Sequence, residues 1–208
     1  MKQELLDLID EKDKIFALAH EENSFMNIPF VVYDVPEFIS WKEKVINFDK
    51  VKETYTKNNN FELKSNDALY ISKNNIYYFI EFKIGELLKK NDDKNNNDIN
   101  IKYDVKKELQ LKIYDSIFTL SDIEDSNGDK YIKDIVDFSK NNIEYILVYY
   151  SKNNGELKIN SHLLKKANIN LDRFGLKKFK KFLLKEVYIY DEEEFEREFI
   201  NKIIRNEP

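Results

Sequence analysis

The sequence predicts a mixed α/β domain, with helices arranged around a central sheet. Three observations carry that prediction. Segments with apolar residues at helical spacing alternate with short strand-like runs along the chain. Ser65 to Ile84, SNDALYISKNNIYYFIEFKI, reads as two strands joined by a turn at Lys73-Asn74-Asn75. Ile143 to Tyr150, IEYILVYY, is the clearest buried strand. At 208 residues the chain favours one domain and is long enough to bury a core. Within it, residues 1–60 form an N-terminal helical region and 61–150 a core. Residues 151–208 hold a basic segment and a C-terminal helix.

Taken in order, residues 3–22 place Leu5, Leu8, Ile9, Ile15, Phe16 and Leu18 at roughly helical spacing. Asn27 to Tyr33 (NIPFVVY) is a short strand or a buried connector. Asp34 and Pro36 then open a second helix, FISWKEKVINFDKVKETY, with Phe38, Trp41, Val45 and Phe48 on one side. Lys57 to Asn60 ends it, and Phe61 to Leu63 leads into the hairpin. Lys89 to Asn100, KKNDDKNNNDIN, has the low complexity of a flexible loop. A helix follows from Val105 to Ile123, with Leu109, Ile113, Ile117 and Leu120 apolar. Tyr131 to Lys140 reads as another helix ahead of the 143–150 strand. Residues 157–183 mix loop and helix, Glu186 to Tyr190 is a last short strand, and EEEFEREFINKII is a helix opened by acids. No internal repeat is present.

Composition removes several function classes. The chain has no cysteine, so disulfides, thiolate zinc sites and Cys nucleophiles are excluded. Two histidines, His20 and His162, leave little material for a His-based triad or zinc cluster, and four isolated glycines make no phosphate-cradling loop. No apolar run approaches 18 residues and the N-terminus MKQELLDLIDEKDK has no apolar h-region. A cytoplasmic protein without a membrane span is expected. The net charge of −5 is segregated: Lys158 to Lys185 carries nine Lys/Arg against Asp172, and Glu186 to Glu198 seven acids against Arg197.

The chemistry concentrates in the hairpin. Residues two apart on a strand share a face, so Glu81 and Lys83 project together while Ile80, Phe82 and Ile84 project oppositely. Asp67 heads the first strand, and a short turn brings it beside the strand carrying Glu81. Two carboxylates that hold Mg²⁺ or Mn²⁺, with a lysine to orient water or stabilise developing charge, are what phosphodiester hydrolysis requires. An E-x-K triplet alone is commonly a solvated ion pair. Asp67 across the turn, the apolar lead Ile76 to Ile80 and the polar helix behind it separate this one from that case.

Asp67 and Glu81-Phe82-Lys83 together resemble the PD-(D/E)xK nuclease superfamily, over roughly residues 61–150. In that family an Asp opens one strand and a (D/E)-x-K triplet, preceded by an apolar run, lies on the next. The resemblance implies a restriction-endonuclease-like mixed central sheet flanked by helices. It implies a nuclease hydrolysing DNA or RNA, with Asp67 and Glu81 as metal ligands for Mg²⁺ or Mn²⁺ and Lys83 as catalytic lysine. The family often adds a helix with a Gln or Lys near the site, and Glu108, Gln110 and Lys112 in KELQLKIYDS suit that role. The Pro that often precedes the Asp is absent, residues 65–67 being Ser-Asn-Asp. An upstream carboxylate stays open among Glu4, Glu21 and Glu22. In the viral cap-snatching members a histidine of the N-terminal helical region joins the metal site, which makes His20 a further candidate.

Two other patterns have competing readings. Lys177, Lys178, Lys180 and Lys181 in LKKFKKFLLK either bind backbone phosphates or form the solvated face of an amphipathic helix. Asp125-Ser-Asn127-Gly128-Asp129 fails as a calcium loop, because Gly128 in the sixth position would put Ile123 where a carboxylate is needed. The main alternative to a nuclease is a catalytically inactive binding or regulatory protein on the same fold. Nucleic acid is the expected partner, with a homodimer or a protein partner left open.

Overall fold

Side-chain alternation builds the sheet. From residue 68 to 82, Ala68, Tyr70, Tyr78, Ile80 and Phe82 turn to one face, while Leu69, Ile71, Tyr77 and Phe79 turn to the other. The two runs pair as antiparallel strands β2 (Ala68–Ile71) and β3 (Tyr77–Lys83), with Leu69 opposite Phe79 and Ala68 opposite Ile80. Their turn uses Asn75 at φ 61°, a left-handed conformation that Asn tolerates. Ser72 closes it, its N–H donating to the Ile76 carbonyl at 2.9 Å and its Oγ accepting the Ile76 N–H.

A computed structural model describes residues 46–57, 62–72, 74–89, 101–123, 130, 132–166, 172 and 174–205. The helix at 3–22, the run 27–33, Asp34 and Pro36, the loop at 90–100 and the 125–129 segment lie outside them. So do Glu4, His20, Glu21 and Glu22.

The described residues form a mixed α/β fold with a five-stranded sheet flanked by helices. The strand order follows the chain. β1 (Ile46–Asn47) and β2 pair antiparallel, as do β2 and β3, whereas β4 (Ile143–Tyr149) and β5 (Glu186–Asp191) extend the sheet in parallel. Between β3 and β4 run α2 (Tyr103–Asp122) and α3 (Ile135–Asn142), with α1 (Phe48–Lys57) preceding the hairpin. Between β4 and β5 lie α4 (Gly155–Lys166) and α5 (Lys177–Phe182), the two helices within the mixed stretch at 157–183. α3 starts later than its sequence pattern, because Asp134 caps it by accepting the Asp137 N–H at 2.9 Å.

One element departs from expectation. Ile46 and Asn47 fall inside the helix anticipated from Phe38 to Tyr55, yet they form β1, with Ile46 opposite Leu69. Both are buried, and the Phe48 N–H donates to the Asp67 carbonyl at 3.2 Å. Pairing with β2 overrides the helical spacing at these two residues, α1 begins at Phe48, and residues 38–45 of the anticipated helix lie outside the described residues.

The C-terminal segment opens as α6 (Glu192–Phe195) and continues as a π-helix over Glu196–Ile204. Asp191 and Glu194 form a reciprocal capping box. Its buried residues, Phe195, Phe199, Ile200 and Ile204, recur at four to five positions, a wider spacing than an α-helix keeps on one face. They cover the Tyr78–Ile80–Phe82 face of the sheet, where Phe199 meets Tyr70 and Tyr78 edge-on. The opposite face packs under α2 through Leu109, Ile113, Ile117 and Leu120, and under Phe179 of α5. Among the described residues no helix is long and apolar enough to cross a membrane.

Candidate active site

Alternation places Glu81 and Lys83 on the α2 face of β3, following Tyr77 and Phe79. Because β2 and β4 flank β3 and α2 covers it, Glu81 has no exposed surface at all. The end of β3 is fixed by the neighbouring loop. The Tyr150 N–H donates to the Lys83 carbonyl at 2.9 Å, and buried Asn154 accepts the Leu87 N–H at 2.9 Å while donating to the Gly85 carbonyl.

Asp67 sits immediately before β2 and reaches across to β3. Its Oδ2 accepts the Phe82 N–H at 2.7 Å, which orients the carboxylate toward Glu81. Its Oδ1 accepts the Lys112 ammonium at 3.1 Å. The same Nζ donates to Glu81 Oε1 at 2.7 Å, so Lys112 bridges the two carboxylates. Lys83 lies 3.0 Å from that Glu81 oxygen and donates to Glu108 Oε1 at 2.8 Å. Five charged groups thus form one continuous network, with Glu108 and Lys112 four residues apart on one helical face.

Burial and neighbours set the charges. Glu81 is pushed up to about 7 by burial and by the Asp67 charge, against the pull of Lys112 and Lys83. For Lys112, burial acts downward but Glu81 and Asp67 outweigh it, holding the ammonium above its ordinary range. The same balance holds Lys83 high, with Glu81 and Glu108 opposing burial. Glu108 is half-buried, and Lys83 overcomes that burial to keep its carboxyl below the usual range.

Among the described residues, several buried polar atoms at this end of the sheet lack a hydrogen-bond partner. Glu81 Oε2 is one, the Tyr145 hydroxyl another, and both amide atoms of Asn66 a third case. Tyr145 lies on β4 opposite Phe79, and burial together with the Glu81 and Asp67 charges pushes its phenol well above its ordinary range. The Asn66 N–H donates to Ser116 Oγ on α2 at 2.9 Å, and Ser65 Oγ hydrogen-bonds Asp49 of α1. The Ser65-Asn66 pair therefore ties both helices to the head of β2.

An open cleft of about 800 Å³ borders the network, between α1, residues 62–65 and α2. Glu108 and Lys112 form its inner wall, and Asp49, Lys52, Glu62 and Lys64 line its flanks.

The structure brings together Asp67, Glu81, Lys83 and Lys112. It sets Gln110 apart: two residues from both Glu108 and Lys112 on a helix, Gln110 lies about 200° around the axis. Its Oε1 accepts the Lys178 ammonium at 3.0 Å, and its amide packs against the turn at Gly175, where φ is +69°. Lys177, Lys178, Lys180 and Lys181 are carried on α5, which packs Phe179 against Tyr114 of α2. Lys180 pairs with Glu186 at 2.6 Å, and burial draws the Lys177 ammonium below its ordinary range. Through Lys178, α5 meets the Gln110 side of α2, away from Glu108 and Lys112. The link from Lys83 to Glu108 had a sequence signal in the spacing of Glu108 and Lys112. The unpartnered Tyr145 hydroxyl had none.

No family model, curated protein or solved structure matches this chain. What the site can bind is therefore decided by its own donors. Asp67 and Glu81 offer hard carboxylate oxygens converging on one cation position, and Glu81 Oε2 is buried with no partner. Among the described residues no three metal-ligating side chains gather. Two carboxylates suit Mg²⁺ or Mn²⁺, which commonly complete their shells with water and substrate phosphate.

Proposed function

We propose that this chain is a metal-dependent nuclease on a restriction-endonuclease-like sheet, hydrolysing phosphodiester bonds of DNA or RNA. The observation that carries the reading is the convergence of Asp67 and Glu81, from adjacent strands, on a single cation position beside an open cleft. Burying two carboxylates together costs several kcal/mol unless cations compensate, and Lys112 and Lys83 stand at the pair in that role.

In this reading Asp67 and Glu81 would hold Mg²⁺ or Mn²⁺, which would supply an activated water and charge neutralisation at the phosphate. Lys83 is oriented by Glu81 on one side and Glu108 on the other. From there its ammonium holds the attacking water and offsets charge building on the phosphate. The Phe82 N–H keeps Asp67 in place, and Glu108, anionic and open to the cleft, accepts the proton that the water gives up. Lys177, Lys178, Lys180 and Lys181 would touch substrate backbone outside the reacting centre, without reading sequence.

The test is cleavage of DNA and RNA in Mn²⁺ and in Mg²⁺ by the wild type, Lys83→Ala and Asp67→Ala. Loss of at least a hundredfold in both variants is expected for residues acting on the transition state, in the range seen for single catalytic donors. Equal rates in all three would overturn the proposal.

A specific observation favours a second reading. The Lys112 ammonium already bridges the two carboxylates, as it would in a binding or regulatory protein that needs no metal. Calorimetric titration with Mn²⁺ separates the two. A binding protein gives no site that disappears in an Asp67→Asn, Glu81→Gln double variant.

A further inference from the structure

Lys112 has one position that serves two places: its ammonium lies where Asp67 and Glu81 converge, and the same residue lines the cleft. An ammonium and a divalent cation cannot share that point. Among the described residues the ammonium bonds Asp67 Oδ1 and Glu81 Oε1, and Glu81 Oε2 stays buried without a hydrogen-bond partner, so the cation in residence satisfies the pair incompletely. A metal able to bind both Glu81 oxygens would relieve that orphaned atom. The lysine stem is flexible, with its side chain 13% exposed, and the cleft lies beside it. Lys83 also lies 3.0 Å from Glu81 Oε1, but it forms no ion pair with Asp67 and is held on its other side by Glu108.

We infer that Lys112 is an internal cation that holds the Asp67–Glu81 pair until a divalent metal replaces it, and that the displaced ammonium turns into the cleft to bind a substrate phosphate. The inference rests on the metal-site reading of Asp67 and Glu81. It makes metal binding and substrate binding sequential: the group that contacts phosphate is released only when the metal arrives. It also makes Lys112 a substrate-binding residue whose removal has opposite effects on the two ligands. Metal affinity rises because a competitor is gone, and phosphate affinity falls because a partner is gone.

The experiment measures Mn²⁺ affinity by electron paramagnetic resonance for the wild type, Lys112→Met and the Asp67→Asn, Glu81→Gln double variant. In parallel it follows binding of a fluorescein-labelled oligothymidylate in Ca²⁺. Methionine keeps the apolar stem and removes the charge. Lys112→Met should bind Mn²⁺ about tenfold or more tightly than wild type, and the oligonucleotide about tenfold less tightly. Should the variant fold poorly, the wild type answers alone. The Lys112 ¹⁵Nζ resonance should be protected from exchange without metal and lost to solvent exchange on saturation with Mg²⁺. Equal Mn²⁺ affinity in wild type and Lys112→Met, or a protected Lys112 resonance in saturating Mg²⁺, overturns the inference while leaving the metal site standing. Wild-type Mn²⁺ binding that survives in the double variant, or is absent from all three proteins, overturns the metal site and the inference with it.

Discussion

The two faces of the sheet are built from the same strands and meet opposite demands. The face under the C-terminal π-helix carries Tyr70, Tyr78, Ile80, Phe82, Ile146 and Val148 against Phe195 and Phe199. The face under α2 is equally apolar through Leu69, Phe79, Tyr145 and Leu147, until at the end of β3 it gives way to Asp67, Glu81 and Lys83. Phe82 and Glu81 are sequence neighbours with comparable burial, one packed edge-on against Phe195 and the other bound by two ammonium groups. A face that only had to be covered was covered with aromatic rings. The buried carboxylates on the opposite face are instead held by the ammonium groups of Lys112 and Lys83.

Breaking the apolar face should cost the most. Phe199→Ala removes the ring meeting Tyr70, Tyr78 and Phe195, and chemical denaturation should register a loss of about 3–5 kcal/mol. A loss below 1 kcal/mol would mean the π-helix is not the seal of that face.

The charged face should respond to pH instead. Glu81 titrates near 7 in the folded protein against an ordinary 4.5, so the folded state retains a proton that the unfolded chain releases. Its contribution to stability is therefore full below about 4.5, declines as pH rises, and is gone above about 7. Glu81→Gln lacks this dependence. Measured without metal, the variant should gain on the wild type by on the order of 3 kcal/mol between pH 4.5 and pH 8. A stability difference that stays level across this window would show that Glu81 titrates normally.

Asp67→Ala should cost less, about 1–3 kcal/mol by thermal denaturation, for leaving the buried Phe82 N–H unpaired and Lys112 with one partner. Smallest of all is Lys178→Ala on exposed α5, within about 0.5 kcal/mol by the same measurement. A larger change there would mean that the Gln110 contact anchors α5 to α2.

Much of this contrast was legible in the chain. Alternation alone puts Glu81 and Lys83 on one face and Phe82 on the other, and the short Asn-containing turn returns Asp67 to their side. β4 announced itself by an uninterrupted apolar run. Three features were not legible, each for a physical reason. β1 is two residues long and exists only through its pairing with Leu69 and Ala68, so local periodicity pointed to helix. The sequence grouped Gln110 with Lys112, although residues two apart on a helix point away from each other. Glu108 and Lys112 were the pair that could share a face. The π-helix widened the spacing of its buried residues, and the acids at 192–194 marked only where it starts. Ser65-Asn66, which departs from the nuclease pattern, is where α1 and α2 are tied to the strand.

The most direct test of the central claim is a crystal structure grown in Mn²⁺, with anomalous diffraction used to locate the ion. The expected result is a peak within about 2.5 Å of carboxylate oxygens from both Asp67 and Glu81, with the Lys112 ammonium moved into the cleft. No peak at these carboxylates, with Lys112 still bridging them, would contradict it.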